Sequence, residues 1–497
     1  MKNYLKPIVL TLAAALFLPY ISSCAQENVV ANETTTAISA TDATKSTTEA
    51  RILPNLGDAN FDGYTFTVLT NDTTSIDWLD WIPRDIEAET ETADSINDAV
   101  YRRNRTLEDR YNFVIKQNKQ EDARGLLKKT VGAGLNEVDL FEDYLRETVS
   151  SATAGLLLDL NQLPSIDFDQ PWWDHRANSS LSIGGRLFFT SGGNMQIVNY
   201  DASGTVLFNK KILADNVLED PYELVLSGKW TMDKLYDMAK AAAINLDGNP
   251  EMDYQYDRFG LITQRDSLIS LLHNSGETIT TKDEHDMPII SFGSERSINA
   301  LEKAFDLTYD PNITFNAHSI LDKVEAIYPI TEKMFQSDQA LFMWIRLRIV
   351  QNLRNMETEF GILPIPKYDE NQKDYFTTVN MYTGQAFAVP QTADPDRTGF
   401  ILEAINAESK YTVMPAYYET TLKTKVARDN ESQAMLDIIF NSTVYDLGAI
   451  CDWGGLNTVI VYAMDKYDRT IASKFEKSLP RMEKAIEQAV NKIMAIE

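Results

Sequence analysis

The sequence predicts an α/β protein of two lobes, and three observations carry the prediction. Short β-like runs alternate with charged amphipathic helices from the first strand onward, the pattern of sheets layered with helices. Beyond the N-terminal fifty or so residues about 440 remain, more than a single core ordinarily organises, with 44% hydrophobic and 10% aromatic content in the whole chain to fill two. Nothing after the first twenty residues is long and apolar enough to cross a bilayer.

The N-terminal segment reads as an export signal. Lys2 and Lys6 precede an apolar stretch from Ile8 to Leu18 that is too short to span, and Ile21-Ser22-Ser23 leads into Cys24. That spacing resembles the bacterial lipoprotein box, so residues 1–23 are expected to be removed and Cys24 to carry the lipid. From Ala25 to about Ala50 the chain is Ala, Thr, Ser, Asn and acids, which cannot bury enough surface to offset ordering entropy. Residues 24–52 are therefore expected to be a disordered tether, with a reach of roughly 30 Å.

The body starts with a βαβαβ pattern. Tyr64 to Leu69 reads as a strand, Ala99 to Tyr111 as a helix, Phe113 to Lys116 as a strand, Asp122 to Val131 as a helix and Val138 to Phe141 as a strand. Further on, Trp230, Met232, Leu235 and Met238 recur at helical spacing, and Thr231 and Asp233 suit an N-terminus whose first amides need acceptors. Trp230 is structural on this reading. Ile298, Leu301, Ala304 and Phe305 repeat the spacing, and Asp394-Pro395 marks another start, because proline at the first helical position loses no hydrogen bond. A last helix is expected from about Arg481 to Ile496.

Charge and composition exclude several functions. The net charge of -27 includes two signal lysines, so the mature chain stands at -27 - 2 = -29, which argues against nucleic acid and against a basic membrane-binding face. Cys451 is the only cysteine after Cys24, so the mature body has no internal disulfide, and Cys451 reads as a small buried residue rather than a nucleophile. His175, His273, His285 and His318 lack metal spacing, and no metal site is expected. Asn245, Asp247, Asn249, Glu251 and Asp253 alternate like a calcium loop, but Pro250 stands where glycine belongs and the closing glutamate is missing. No phosphate-binding loop and no cofactor motif is present.

Several segments then carry a resemblance. Thr205-Val206-Leu207-Phe208-Asn209-Lys210-Lys211-Ile212-Leu213, Gly228 to Leu235, and Tyr256-Asp257-Arg258-Phe259-Gly260-Leu261 resemble extracellular solute-binding protein family 1 of the ABC importers, the relatives of maltose-binding protein. The order continues with Phe335 to Met343 as a strand after a polar turn, Phe360 to Pro366 as the next strand and Ala386 to Pro390 as its return, so the likeness covers roughly Phe61 to Glu497. The departure is Leu341 to Arg346, where relatives usually have small residues. The resemblance implies a periplasmic-binding-protein type II fold with a hinge crossed three times, within Ser191 to Ser203, near Thr378 to Gly384 and around Tyr445 to Ala449. Residues 53–195 with about 380–445 would form lobe 1, and about 200–377 with 446–497 lobe 2. Gly192, Gly193, Gly204, Gly384 and Gly448 fall at these crossings, where backbone freedom would serve a hinge.

The implied function is capture of a solute, most naturally a carbohydrate or glycoside, by a monomeric lipid-anchored protein on the outer face of the cytoplasmic membrane for delivery to ABC permease subunits. A sugar cleft needs aromatic plates beside amide and carboxylate groups. Trp344 and Trp453 read equally as plates or as core, with Asn194, Asn380, Tyr382 and Asp452 as hydrogen-bonding partners. Trp172 and Trp173 read as packing with one ring reaching the cleft mouth, and Trp78 and Trp81 as a lid or as a local cluster against Ile82. A peptide or polar metabolite is the alternative solute. A surface glycosidase is the alternative class, which 73 acidic residues neither support nor locate.

Overall fold

The structure, a computed structural model, describes residues 51–72, 81, 83–422 and 430–496. Cys24, the tether up to residue 50, Trp78 and Ile82 lie outside the described residues. In chain order the strands are β1 (Tyr64–Asn71), β2 (Phe113–Gln120), β3 (Leu140–Tyr144), β4 (Gly204–Asn209), β5 (Phe259–Thr263), β6 (Thr280–Lys282), β7 (Pro288–Ile290), β8 (Thr314–Asn316), β9 (Ala340–Arg346), β10 (Phe360–Leu363), β11 (Thr377–Thr378), β12 (Gln385–Ala388) and β13 (Thr443–Val444).

The first sheet has the order β12-β3-β1-β2. β1 pairs in parallel with both β2 and β3, as crossover helices require, while β12 closes the edge antiparallel to β3. The first crossover is the helix Ser95–Tyr111, four residues longer at its start than the spacing predicts, because Asp94 caps it by accepting the amides of Ile96 and Asn97 at 3.1 and 2.9 Å. The second sheet has the order β10-β4-β9-β5-β8, with β5 parallel to β8 and β9, and β4 antiparallel to β9 and β10. Alternation along β4 and β9 serves two cores: Val206, Phe208 and Trp344 face one, Leu207, Met343 and Ile345 the other.

Three passages join the sheets. The first runs from Thr190 to Ser203 and the second from β11 to β12. Bridges Thr190–Phe387 and Ser203–Val379 lay these two side by side, and β13, leading the third, pairs in parallel with β11. The glycines of these passages are explained differently from the sequence expectation. None of Gly192, Gly193, Gly204, Gly384 and Gly448 is among the positive-φ residues. They allow close approach instead: a Cβ on Gly193 would stand 2.5 Å from Asn406 Oδ1, and one on Gly448 2.6 Å from Ile279.

Elsewhere the sequence boundaries move for local reasons. Phe335 lies in the last turn of the helix Tyr328–Gln336, and the chain then turns at Asp338, whose left-handed backbone is fixed by Asn209 Nδ2 donating to its carboxylate at 2.7 Å, so the strand is Ala340–Arg346. The last helix is Ile471–Met494, with Pro480 inside it rather than at its start. Met482 and Arg481, just past that proline, are held by packing against Gly454 and a bond to its carbonyl. Trp230 is fully buried, its Nε1 donating to the Pro364 carbonyl at 2.8 Å.

Close approach also governs β5. A Cβ on Gly260 would fall 2.0 Å from the Ala239 carbonyl oxygen, so the helix Met232–Ala242 lies directly on the strand backbone. Gly260→Ala should lower stability by about 1–3 kcal/mol or more, the range for overpacking, read as a drop in the urea midpoint without a change in slope. An unchanged midpoint would contradict this contact.

Candidate functional site

Ligands of open α/β sheets sit beyond the carboxyl ends of the strands. Here the residues just past those ends in the two sheets meet. Trp81 follows β1, Arg146 follows β3, Asp266 follows β5, and Arg346 and Arg348 end β9 or follow it.

Arg346 is the centre of the arrangement. Its Nη2 donates to Asp266 Oδ2 at 2.6 Å and its Nη1 to the Tyr328 hydroxyl at 3.1 Å. Asn380 Nδ2, from the second passage, bonds the same Asp266 oxygen. Desolvation opposes the charge of this guanidinium, yet Tyr328 and Asp266 outweigh it and hold the group more firmly protonated than an ordinary arginine. From the other sheet the Trp81 ring lies under both Arg346 and Arg348, at 5.9 and 4.9 Å from the ring centre. Trp81 is anchored through its carbonyl, which accepts from Gln385 Nε2.

A second group adjoins the second and third passages. Arg146 donates to the Tyr382 hydroxyl and to Asp452 Oδ2, each at 3.2 Å, and Asn457 Nδ2 donates to the same hydroxyl at 3.2 Å. Burial raises the Tyr382 phenol, so it stays a neutral hydroxyl. Asp452 has a left-handed backbone and accepts the Thr458 amide at 3.1 Å.

Beneath these groups lie three buried carboxyls. Burial pushes Glu142 up to about 8, with the nearby Asp85 charge adding to the effect and Gln196 Nε2, donating at 3.0 Å, opposing it. Burial raises Asp143 to about 7 against Arg124, and Asp85 to about 6 against the Ile197 amide at 2.7 Å. Among the described residues one oxygen of each has no hydrogen-bond partner.

The predicted site residues divide. Asn380, Tyr382 and Asp452 come together in this cleft. Trp344 is 4% exposed and packs in the core, where it edges a void of about 20 Å³ shared with Asp266 and Asn380, room for one water and not for a sugar ring. Trp453 is likewise buried, in the short turn Trp453–Gly455. Trp172, Trp173 and Asn194 line a separate cavity of about 740 Å³. The two indoles clasp one carboxylate, donating from Trp172 Nε1 to Glu403 Oε1 at 3.0 Å and from Trp173 Nε1 to Oε2 at 2.9 Å. Sequence reading missed Arg146, Asp266, Arg346 and Arg348; the available signal was charge placed directly after apolar strands, as in Ile345-Arg346-Leu347-Arg348.

Other side chains singled out in the sequence are occupied locally. Asp257 accepts the amides of Leu246 and Asp253 at 2.6 and 2.7 Å, closing the acidic loop on itself. Buried His273 sits between the Thr378 hydroxyl and Asp446, both at 3.2 Å. Burial drives the Cys451 thiol well above its ordinary range, which suits packing and not nucleophilic attack.

No protein-family model matches the chain, and no curated protein is similar to it. Solved structures are. A sugar transporter protein from Rhizobium etli in an open conformation aligns over 88% of this chain and 100% of its own, at 13% identity and a TM-score of 0.55. A cyclo/maltodextrin-binding protein complexed with maltotetraose aligns over 86% and 96%, at 14% and 0.54. An ABC transporter solute-binding protein from Thermotoga lettingae, bound with α-D-tagatose, aligns over 87% and 100%, at 13% and 0.50. At these identities the likeness shows the fold, a two-lobed α/β fold of the periplasmic-binding-protein type.

The buried carboxyls give a pH test. Unfolded, each ionises near ~4, whereas folded they hold their protons to about 6, 7 and 8. Between those limits the unfolded chain releases protons first, so their stabilising contribution is complete below pH ~4 and is lost as pH rises to about 8. Glu142→Gln should therefore raise the melting temperature at pH 8 by a few degrees and flatten its decline from pH 5 to 8. A variant with the wild-type decline would contradict a buried, protonated Glu142.

Proposed function

We propose that this chain is the substrate-binding component of an ABC importer and captures a carbohydrate or glycoside between its two lobes. The observation that carries the reading is the Trp81 ring past the carboxyl end of one sheet, 8% exposed and covered by Arg346 and Arg348 of the other, so that opening of the lobes uncovers it beside Asp266 and Asn380. An aromatic face takes up the apolar side of a sugar ring, and amide, carboxylate and guanidinium groups hydrogen-bond its hydroxyls. Solved structures of the same fold described as sugar-binding add support.

The lobes are 53–195 with about 380–445, and about 200–377 with 446–497, and they close by bending at the three passages. The paired first and second passages, with β11 and β13 beside them, are short enough to act as one hinge. The protein binds and delivers; it does not cleave, and incubation with oligosaccharides should release no sugar. It works as a monomer held by lipid on Cys24 at the outer face of the membrane, within reach of the permease. No described helix is long and apolar enough to cross a membrane.

Two substitutions test this. Trp81→Ala should weaken binding of the cognate saccharide about thirtyfold, about 2 kcal/mol, while Trp453→Ala should lower the melting temperature and change affinity little once folded. Wild-type affinity in Trp81→Ala would remove this ring from the site. Cys24→Ala should free the protein from the membrane fraction or leave it uncleaved; processed protein still bound to membranes would contradict the anchor.

A further inference from the structure

The cavity of about 740 Å³ lies apart from the cleft. The helix Ile197–Asp201 stands between them. One side of it is tied to the loop after β1, through the Ile197 amide on Asp85 at 2.7 Å and Asp201 on Arg84 at 2.8 Å, while Asn199 and Tyr200 line the cavity. The cavity is walled by all three passages, with Ser191 and Ser203 from the first, Val379 from the second and Thr443 and Tyr445 beside the third. Its volume lies within the range of small-molecule sites, ~300–1,000 Å³.

The lining selects a chemical class. Tyr200 and Tyr418, both partly exposed, supply aromatic surface, backed by the buried rings of Trp172, Trp173 and Phe440, and the two indoles have already given their N–H groups to Glu403, so they have no further donor to offer a ligand. Asn194 and Asn441 supply amides. Charge is balanced: Asp174 holds Arg176 at 3.1 Å, the Phe440 carbonyl accepts from the same guanidinium at 3.2 Å, and Asp169 is matched by Lys410. A lining with no net charge does not favour an ion. Aromatic surface with amides and acids suits a neutral ring that is apolar on its faces and hydroxylated at its rim.

We infer that this cavity is a second saccharide site, for a neutral mono- or disaccharide, whose occupancy is coupled to lobe closure. The inference adds a site to the carbohydrate reading of the cleft and shares its ligand chemistry. A molecule seated against all three passages is bound to one relative arrangement of the sheets, so movement of the sheets changes its contacts. By linkage, each saccharide then alters the affinity of the other by the same factor.

Calorimetric titration with glucose, galactose, maltose and cellobiose tests this on wild type, Trp81→Ala, Asn194→Trp and the double variant. Asn194 is partly exposed and its side chain accepts only a long bond from Tyr200 at 3.4 Å, so a tryptophan there fills the cavity from its rim. The expected result is saccharide binding that persists in Trp81→Ala and falls at least tenfold when Asn194→Trp is added, with cleft affinity in Asn194→Trp alone shifted twofold or more. Should Asn194→Trp fold poorly, Tyr418→Ala, which removes a plate without adding bulk, must produce the same loss. Binding abolished by Trp81→Ala alone, or residual binding untouched by both cavity variants, overturns the second site and leaves the cleft reading standing. Absence of any saccharide binding to wild type overturns both.

Discussion

A guanidinium drawn largely out of water must be surrounded by acceptors and by polarisable surface, and the rest of the cleft is arranged around this need at Arg346. Its side chain is 13% exposed, and the groups that hold it come from four parts of the chain: Asp266 after β5, Tyr328 on the preceding helix, Trp81 after β1, and Asn380 through its bond to Asp266. Removing one partner of such a buried pair typically costs ~3–5 kcal/mol, because a charge is left unmet. The same side chain that ties the carboxyl end of β9 to Asp266 also packs against the Trp81 ring from the first sheet. On the proposed reading, stability and recognition are built from one set of contacts, and a solute entering the cleft competes for hydrogen-bonding groups that are already engaged.

The carboxyls beneath extend this logic to the first sheet. Glu142 and Asp143 occupy consecutive positions at the carboxyl end of β3, both fully buried, and Asp85 lies close enough for its charge to act on Glu142. Such groups fit a low-dielectric site only when protonated or paired. Through Gln196 on Glu142 and the Ile197 amide on Asp85 they place proton-dependent energy at the junction between the first sheet and the helix Ile197–Asp201.

Much of the fold was legible because it is written in local patterns. The βαβαβ start, the Thr231 and Asp394 caps and the core role of Trp230 follow from spacing and capping chemistry that act over a few residues. The misplaced boundaries arose where tertiary contacts prevail over local signals, as at Asp338, pinned by Asn209, and at Pro480, carried inside a helix by packing on Gly454. The site was less legible. Asn380, Tyr382 and Asp452 lie beside the second and third passages and share the contacts of Asp266 and Arg146, but tryptophan is a large apolar residue in either role, and sequence cannot say whether Trp344 faces a cleft or a core. The arginines were invisible for the opposite reason: a charge after a strand is usually solvated, and only the fold reveals that Arg346 is not.

Lobe closure on a saccharide through Trp81 and Arg346 is the central claim, and small-angle scattering during a titration with oligosaccharides tests it most directly. The account predicts that the radius of gyration falls as binding saturates, with the same midpoint as the heat of binding, and that Trp81→Ala shifts both midpoints together. Saturable binding with no change in the radius of gyration would contradict it.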